Sequence, residues 1–305
     1  MKRMILPGTD LRASRVAIGC MRIADKTPEE ANRFINTALE NGYNFFDNAD
    51  IYGGGVCETV LGQGMKLERG LRERMIIQSK CGIRQGMFDF SKEHIINSVD
   101  GMLKRLQIDY LDVLLLHRPD ALVEPEEVSE AFEQLENQGK VRYFGVSNHN
   151  PYQIDLLQKY CQQKIIINQL QLSITNSGMI DAGLNVNMEN EEGINRDGGI
   201  LDYCRLKDIT IQPWSPFQYG FFEGVFLGSS KYPELNETIR KMSEKYAIAD
   251  SAVAIAWILR HPANMQPIIG TTNLERIRDI SKADDIEMSR EDWYEIYRAS
   301  GKKLP

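Results

Sequence analysis

The sequence predicts a (β/α)8 TIM barrel of the α/β class, with an N-terminal β-hairpin ahead of it and an extra C-terminal helix behind it. Three observations predict it. Apolar runs of strand length alternate with segments of helical periodicity eight times; the runs are apolar on both faces, as strands of a parallel sheet covered by helices must be; and no Pro/Gly/Ser-rich linker divides the 305 residues. Barrels of this class commonly use such a length as one unit, so residues 1–305 are expected to form a single barrel domain. The competing arrangement is an open doubly wound sheet. It calls for a GxGxxG turn after the first strand, and the sequence has none.

The elements follow in order. KRMILPGTDLRA reads as a hairpin turned at Pro7-Gly8. VAIG (16–19) is the first barrel strand. The helix after it is capped at Thr27, carries Pro28 in its first turn, and lays Ala31, Phe34, Ile35, Ala38 and Leu39 along one face until Asn41-Gly42 ends it. NFFD (44–47), MIIQSK (75–80), DVLLLH (112–117), VRYFGVS (141–147), IIINQL (165–170), TIQPW (210–214) and QPIIG (266–270) supply the remaining strands. The intervening helices show the same stripe, as in Ile95, Val99, Met102 and Leu106, and a last helix is expected near Arg290–Arg298. Two connections are long: 173–199, rich in Asn and Gly, and 215–232, aromatic and Gly-rich. Loops of that length in a compact domain are more often functional than idle, and both fall on the C-terminal rim of the barrel.

Composition narrows the class. With 42% apolar and 26% charged residues the chain is an ordinary globular protein, and a net charge of −7 lacks the basic footprint of a nucleic-acid binder. The five cysteines form no CxxC pair and are odd in number, so reduced thiols are expected. No apolar run spans a bilayer and no apolar h-region follows Met1-Lys2-Arg3, which points to the cytoplasm and to no membrane partner. The four histidines make no HxH or HExxH, so no metal site is expected, and the absence of a heptad seam makes a monomer the expectation.

Four residues carry chemistry. Asp47 ends NFFD, Tyr52 lies in the loop that follows it, Lys80 ends MIIQSK and His117 ends DVLLLH. Taken singly, each has a structural reading: a turn Asp, a half-buried aromatic, a surface cation, a satisfied core imidazole. Four compatible groups at the C-terminal ends of three consecutive strands are much less easily coincidental, because that rim is where parallel barrels keep their active sites. The set suits carbonyl reduction. Tyr52 supplies a proton to oxygen, Lys80 makes that phenol more acidic, Asp47 holds Lys80 in its ionised form, and His117 orients the carbonyl. Asp50 is the rival carboxylate.

FFDNADIYG, QSK, LLLH, GVSN, NQ and QPWSPF, in that order across almost the whole chain, resemble the aldo-keto reductases. The resemblance implies a barrel that reduces an aldehyde or ketone to an alcohol with NADPH preferred and NADH as the alternative. It makes Tyr52 the general acid. It assigns Ser147, Asn148 and Gln169 to the nicotinamide carboxamide and Trp214 to the ring face. Met21, Ser215, Phe217 and Gly220 would follow the nicotinamide ribose and pyrophosphate, and Thr271, Thr272 and Arg276 would hold the adenosine phosphate. A Lys common before the Ser/Thr of this segment is Gly270 here, with Arg278 as a candidate substitute. A nicotinamide-nucleotide-binding sensing or regulatory module with little turnover is the alternative. The substrate is expected to be a small carbonyl compound in a pocket lined by Arg22, Trp214, the 173–199 segment and residues after His117; Arg118 is expected to pair with Asp120 or, less simply, to bind a substrate carboxylate.

Overall fold

The structure is a computed structural model that describes residues 1–304. Eight parallel strands, β1 (Ala17–Gly19), β2 (Phe45–Asp47), β3 (Ile76–Cys81), β4 (Leu111–Leu116), β5 (Val141–Ser147), β6 (Ile165–Gln171), β7 (Thr210–Trp214) and β8 (Ile268–Ile269), are hydrogen-bonded in the order β7-β6-β5-β4-β3-β2-β1-β8. The ring closes beside β7, where Gln266 N donates to Ile211 O at 3.0 Å. Strand β8 is shorter than the sequence pattern suggests because Pro267 has no N–H to give a neighbour. His117 lies one residue past β4, yet its N–H still donates to Cys81 O at 2.9 Å, so the barrel fixes its backbone.

The helices are α1 (Pro28–Glu40), α2 (Val56–Lys66), α3 (Lys92–Leu106), α4 (Pro125–Asn137), α5 (Pro151–Tyr160), α6 (Gly178–Leu184), α7 (Ile200–Leu206), α8 (Pro233–Tyr246), α9 (Asp250–Leu259), α10 (Leu274–Ser281) and α11 (Arg290–Ala299). The first shows why such segments are helical: Thr27 and Glu30 form a reciprocal capping box, Pro28 opens the first turn, and the stripe Ala31, Phe34, Ile35 and Ala38 is buried. Helices α2 and α3 approach so closely that a Cβ on Gly62 would lie 2.6 Å from Leu106 O. The last helix is held by a reciprocal pair: the rings of Trp257 in α9 and Trp293 in α11 stack at 4.8 Å, and each indole N–H donates to the other residue's carbonyl, at 3.1 and 2.9 Å. Among the described residues no helix is long and apolar enough to cross a membrane.

The predicted hairpin forms from Arg3–Ile5 and Arg12–Ser14, paired Arg3 with Ser14, and Gly8 takes a positive φ of 76° in its turn. Its Leu6 and Leu11 pack with Phe45, Ile76, Val113, Ile167 and Ile268, closing the N-terminal end of the barrel with an apolar plug. Side chains alternate along a strand, so two residues further on each of these faces points inward again. Those next positions are Asp47, Gln78, Leu115 and Gln169, with Gly270 on β8's continuation, and a further step reaches Lys80 and, on β4, His117. One strand face therefore carries the plug at one end and the polar cluster at the other.

The 173–199 segment is not an open loop. It folds into α6 and a 3-10 turn, and its buried Asp181 accepts hydrogen bonds from Ser177 Oγ (2.9 Å) and Tyr297 Oη (2.8 Å) and pairs with Lys302. A carboxylate buried in this way ties the segment to α11 and the C-terminal tail. The 215–232 segment instead forms a short hairpin, Gln218–Tyr219 against Gly224–Val225, with Phe221 and Phe222 at its tip.

Candidate active site

Register and turn geometry assemble the predicted four. Asp47 pairs with Gln78 across β2 and β3, which sets the two strands so that Lys80 reaches past it, and Lys80 pairs in turn with Leu115, two residues before His117. Tyr52 is delivered by a 3-10 turn, Tyr52–Gly55, in which Gly53, Gly54 and Gly55 have φ of 57°, 63° and 92°. Three left-handed residues in succession are accessible only to glycine at low cost, and they reverse the chain directly after Tyr52 to start α2.

Lys80 Nζ is the hub. It lies 2.9 Å from Asp47 Oδ2, 2.8 Å from Oδ1, 2.7 Å from Asn48 O and 3.1 Å from Tyr52 Oη. The ring of His117 meets that of Tyr52 edge-on, with centroids 6.1 Å apart. Asp50 does not touch the ammonium, so the rival carboxylate is not the partner of Lys80; burial and the neighbouring Glu58 push its own carboxyl up to about 7. Burial alone would lower the Lys80 ammonium, but Asp47 and Tyr52 more than reverse this and hold it above its ordinary value. The Tyr52 phenol departs from expectation. Burial raises it, and Lys80 only partly opposes that rise, with Asp47 adding to it. The phenol is protonated at neutral pH, the state a proton donor needs. His117 is driven well below the usual imidazole range by burial, Lys80 and Arg118, so its ring is neutral.

A chain of glutamines supports Asp47 from below. Gln78 Nε2 and Gln169 Nε2 donate to Asp47 Oδ1 at 2.6 and 3.0 Å, both also reach Gln212 Oε1, Gln212 donates to Gln266 at 2.8 Å, and Gln266 ends on Ser14 O at 2.7 Å. Sequence reasoning named only Gln169 of these. The missing signal was present: an uncharged polar residue inside an apolar strand must find buried partners.

The site opens into a cavity of about 880 Å3. Asp47, Tyr52 and His117 line it, whereas Lys80 lies behind them, fully buried. Of the expected cofactor residues, Met21, Ser147, Asn148 and Gln169 line the same space, as do Trp214, Ser215, Phe217, Thr271 and Arg276. Gly220 and Thr272 lie outside the lining. Gly220 sits at the hairpin tip with its carbonyl accepting from Gln171 Nε2 at 2.7 Å, and Thr272 precedes Asn273, the residue that caps α10. Asn148, at a left-handed φ of 61°, accepts from the Trp214 indole N–H at 3.1 Å and donates to Ser147 Oγ at 2.8 Å, so it orients the aromatic face.

Two further expectations are corrected. No residue of 173–199 lines the cavity, because Asp181 ties that segment to α11. Phe221 and Phe222 stand 63% and 50% exposed beside Trp214, while Phe226 is buried. Arg278 does not line the cavity, whereas Arg22 does: it donates to the Gly270 carbonyl at 3.0 Å, and a Cβ at position 270 would come within 3.3 Å of that guanidinium. A flat aromatic face, carboxamide side chains and the cations Arg22 and Arg276 line one cavity, a set that fits a ligand carrying both a nicotinamide ring and phosphates.

Known proteins resemble this chain in sequence and in fold. Residues 15–300 match the Aldo/keto reductase family. The chain is 35% identical to a 6-dehydroglucose reductase of Agrobacterium fabrum, with all of both chains covered, and 34% identical to the oxidoreductase YdhF of Escherichia coli, over 94% of this chain and 93% of that one. The crystal structure of the thermostable aldo-keto reductase Tm1743 superposes with a TM-score of 0.78 at 25% identity, covering 98% of this chain and all of that one. A Bombyx mori aldo-keto reductase in complex with NADP shares the fold, with a TM-score of 0.76 at 22% identity over 98% and 93% of the two chains.

Proposed function

This chain belongs to the Aldo/keto reductase family, an oxidoreductase that uses NADP(H) to reduce carbonyl compounds, and from that premise we propose the roles of its residues. One observation carries the proposal: Lys80 Nζ contacts the Asp47 carboxylate and the Tyr52 hydroxyl at once, at 2.9 and 3.1 Å, at the wall of the large cavity. The reduced nicotinamide, when bound, supplies the hydride that adds to the carbonyl carbon. Tyr52 Oη gives its proton to the carbonyl oxygen, which completes the alcohol. Lys80 stabilises the phenolate left behind, Asp47 with its glutamines holds Lys80 in place, and neutral His117 donates an N–H to the same oxygen. Trp214, set by Asn148, offers the face for the nicotinamide ring, and Gln169, Ser147, Thr271 and Arg276 line its path toward the phosphates.

We read the whole chain as one catalytic unit acting as a monomer on a small carbonyl compound. Its five free cysteines are all buried, which suits a reducing cytoplasm. The relatives named 6-dehydroglucose reductase put sugar aldehydes into the first substrate panel. The test is a fluorescence titration with NADPH and NADH, followed by aldehydes, ketones and dicarbonyls with absorbance of the reduced nicotinamide as the signal. Binding followed by oxidation with some carbonyl supports the reading; binding without oxidation by any carbonyl makes the site a nucleotide sensor, and no binding removes it.

A further inference from the structure

Arg118 follows His117 directly and lines the same cavity. Its expected partner is taken: Asp120 accepts from the backbone N–H groups of Phe90 and Leu122, both at 2.9 Å, and forms no ion pair with Arg118. Among the described residues no carboxylate lies within ion-pair distance of Arg118, whereas Arg72, Arg105 and Arg142 each have at least one. The guanidinium stands 6.0 Å from the Trp214 ring and 5.9 Å from that of Phe221, at the outer edge of the range in which cation–π attraction counts. Aromatic rings flank it without occupying its N–H groups. Partial burial lowers the guanidinium, and no acidic group opposes that effect. The other carboxylate facing this end of the cavity, Asp47, is already neutralised by Lys80.

We propose that Arg118 binds anionic oxygens of the substrate, so that the enzyme favours carbonyl compounds carrying a carboxylate or phosphate a few bonds from the carbonyl. This rests on the reductase reading above and adds a substrate class to it. A guanidinium presents parallel N–H donors that match both anions, and its half-desolvated position strengthens the contact relative to open water. Placement next to His117 puts the anion at the carbonyl end of the cavity. Arg22 and Arg276 instead belong to the β8 side of the ring, across from β4: Arg22 donates to Gly270 O, and Arg276 is in α10, which follows β8.

Matched substrate pairs test it with the intact enzyme and NADPH: succinic semialdehyde against butanal, and glyceraldehyde 3-phosphate against glyceraldehyde. The wild type is expected to favour the charged member of at least one pair by roughly tenfold or more in kcat/KM, mostly through KM. The pair that shows it separates carboxylate from phosphate. Arg118→Met should erase the preference and Arg118→Lys should restore part of it, which a purely structural role would not do. Should Arg118→Met fail to fold, stronger inhibition of the wild type by succinate than by succinamide reads the same contact. Equal turnover of charged and neutral members, a preference for neutral sugar aldehydes, or a charge preference that survives in Arg118→Met overturns the proposal. Loss of all carbonyl turnover would instead strike the reductase reading beneath it.

Discussion

Tyr52 must keep its proton until the carbonyl oxygen takes it, and burial raises its phenol in the direction that keeps it. Tyr52→Phe is expected to lower kcat by roughly 10²–10⁴, the usual range for a general acid, with NADPH affinity by fluorescence titration nearly unchanged. Full activity in that variant would place the proton elsewhere. Arg276 is an exposed residue of the cavity lining, and Arg276→Ala should weaken NADPH by about tenfold while leaving NADH nearly as before, since only NADPH carries the 2′-phosphate. Equal losses in the two titrations would make Arg276 structural. Asp47, Tyr52, Lys80 and His117 were legible because reactive side chains at strand ends stand out in sequence. Gln78, Gln212 and Gln266 were not singled out, because only strand register links them into the chain that ends on the Asp47 carboxylate. The acidity of Tyr52 was misjudged because sequence displays Lys80 and not the depth at which both are buried.

Helices α2 and α3 meet where Gly62 faces the backbone of Leu106, and neither side can yield. Gly62→Ala is expected to destabilise the fold by about 1–3 kcal/mol in chemical denaturation, with kcat of the folded fraction retained. An unchanged midpoint would mean that the helices can separate. At this scale the barrel strands were readable to within about a residue or two, because two-sided burial writes a continuous apolar run. The 173–199 segment was not readable. Asp181 finds Tyr297 and Lys302 116 and 121 positions away, so what looks like a polar loop is a strap held by partners no local pattern reveals. Arg22 and Gly270, 248 positions apart, are hidden for the same reason.

Across the molecule, buried ionisable groups set the response to acid. Burial lowers His149 and His261 to about 4 each, and His117 goes well below its ordinary value. A depressed imidazole contributes stability that is present above about 6.5 and is lost as pH falls through that value toward 4. Asp50 works the other way: raised to about 7, it penalises the fold when ionised, and that penalty fades as pH falls from 7 toward 4. Three imidazoles outweigh one carboxyl. The melting temperature should fall between pH 7.5 and pH 5, by the equivalent of a few kcal/mol, and Asp50→Asn should stabilise the protein at pH 7.5 while making its acid drop steeper. A melting temperature flat across that interval would show that the imidazoles are solvated. The tryptophans can follow all of this without added labels. There are three; the stacked Trp257 and Trp293 are buried where the last helix meets the barrel, so their environment changes when that helix leaves it. Trp214, alone in the cavity, emits on its own account, and one spectrum therefore separates an occupied site from an intact fold.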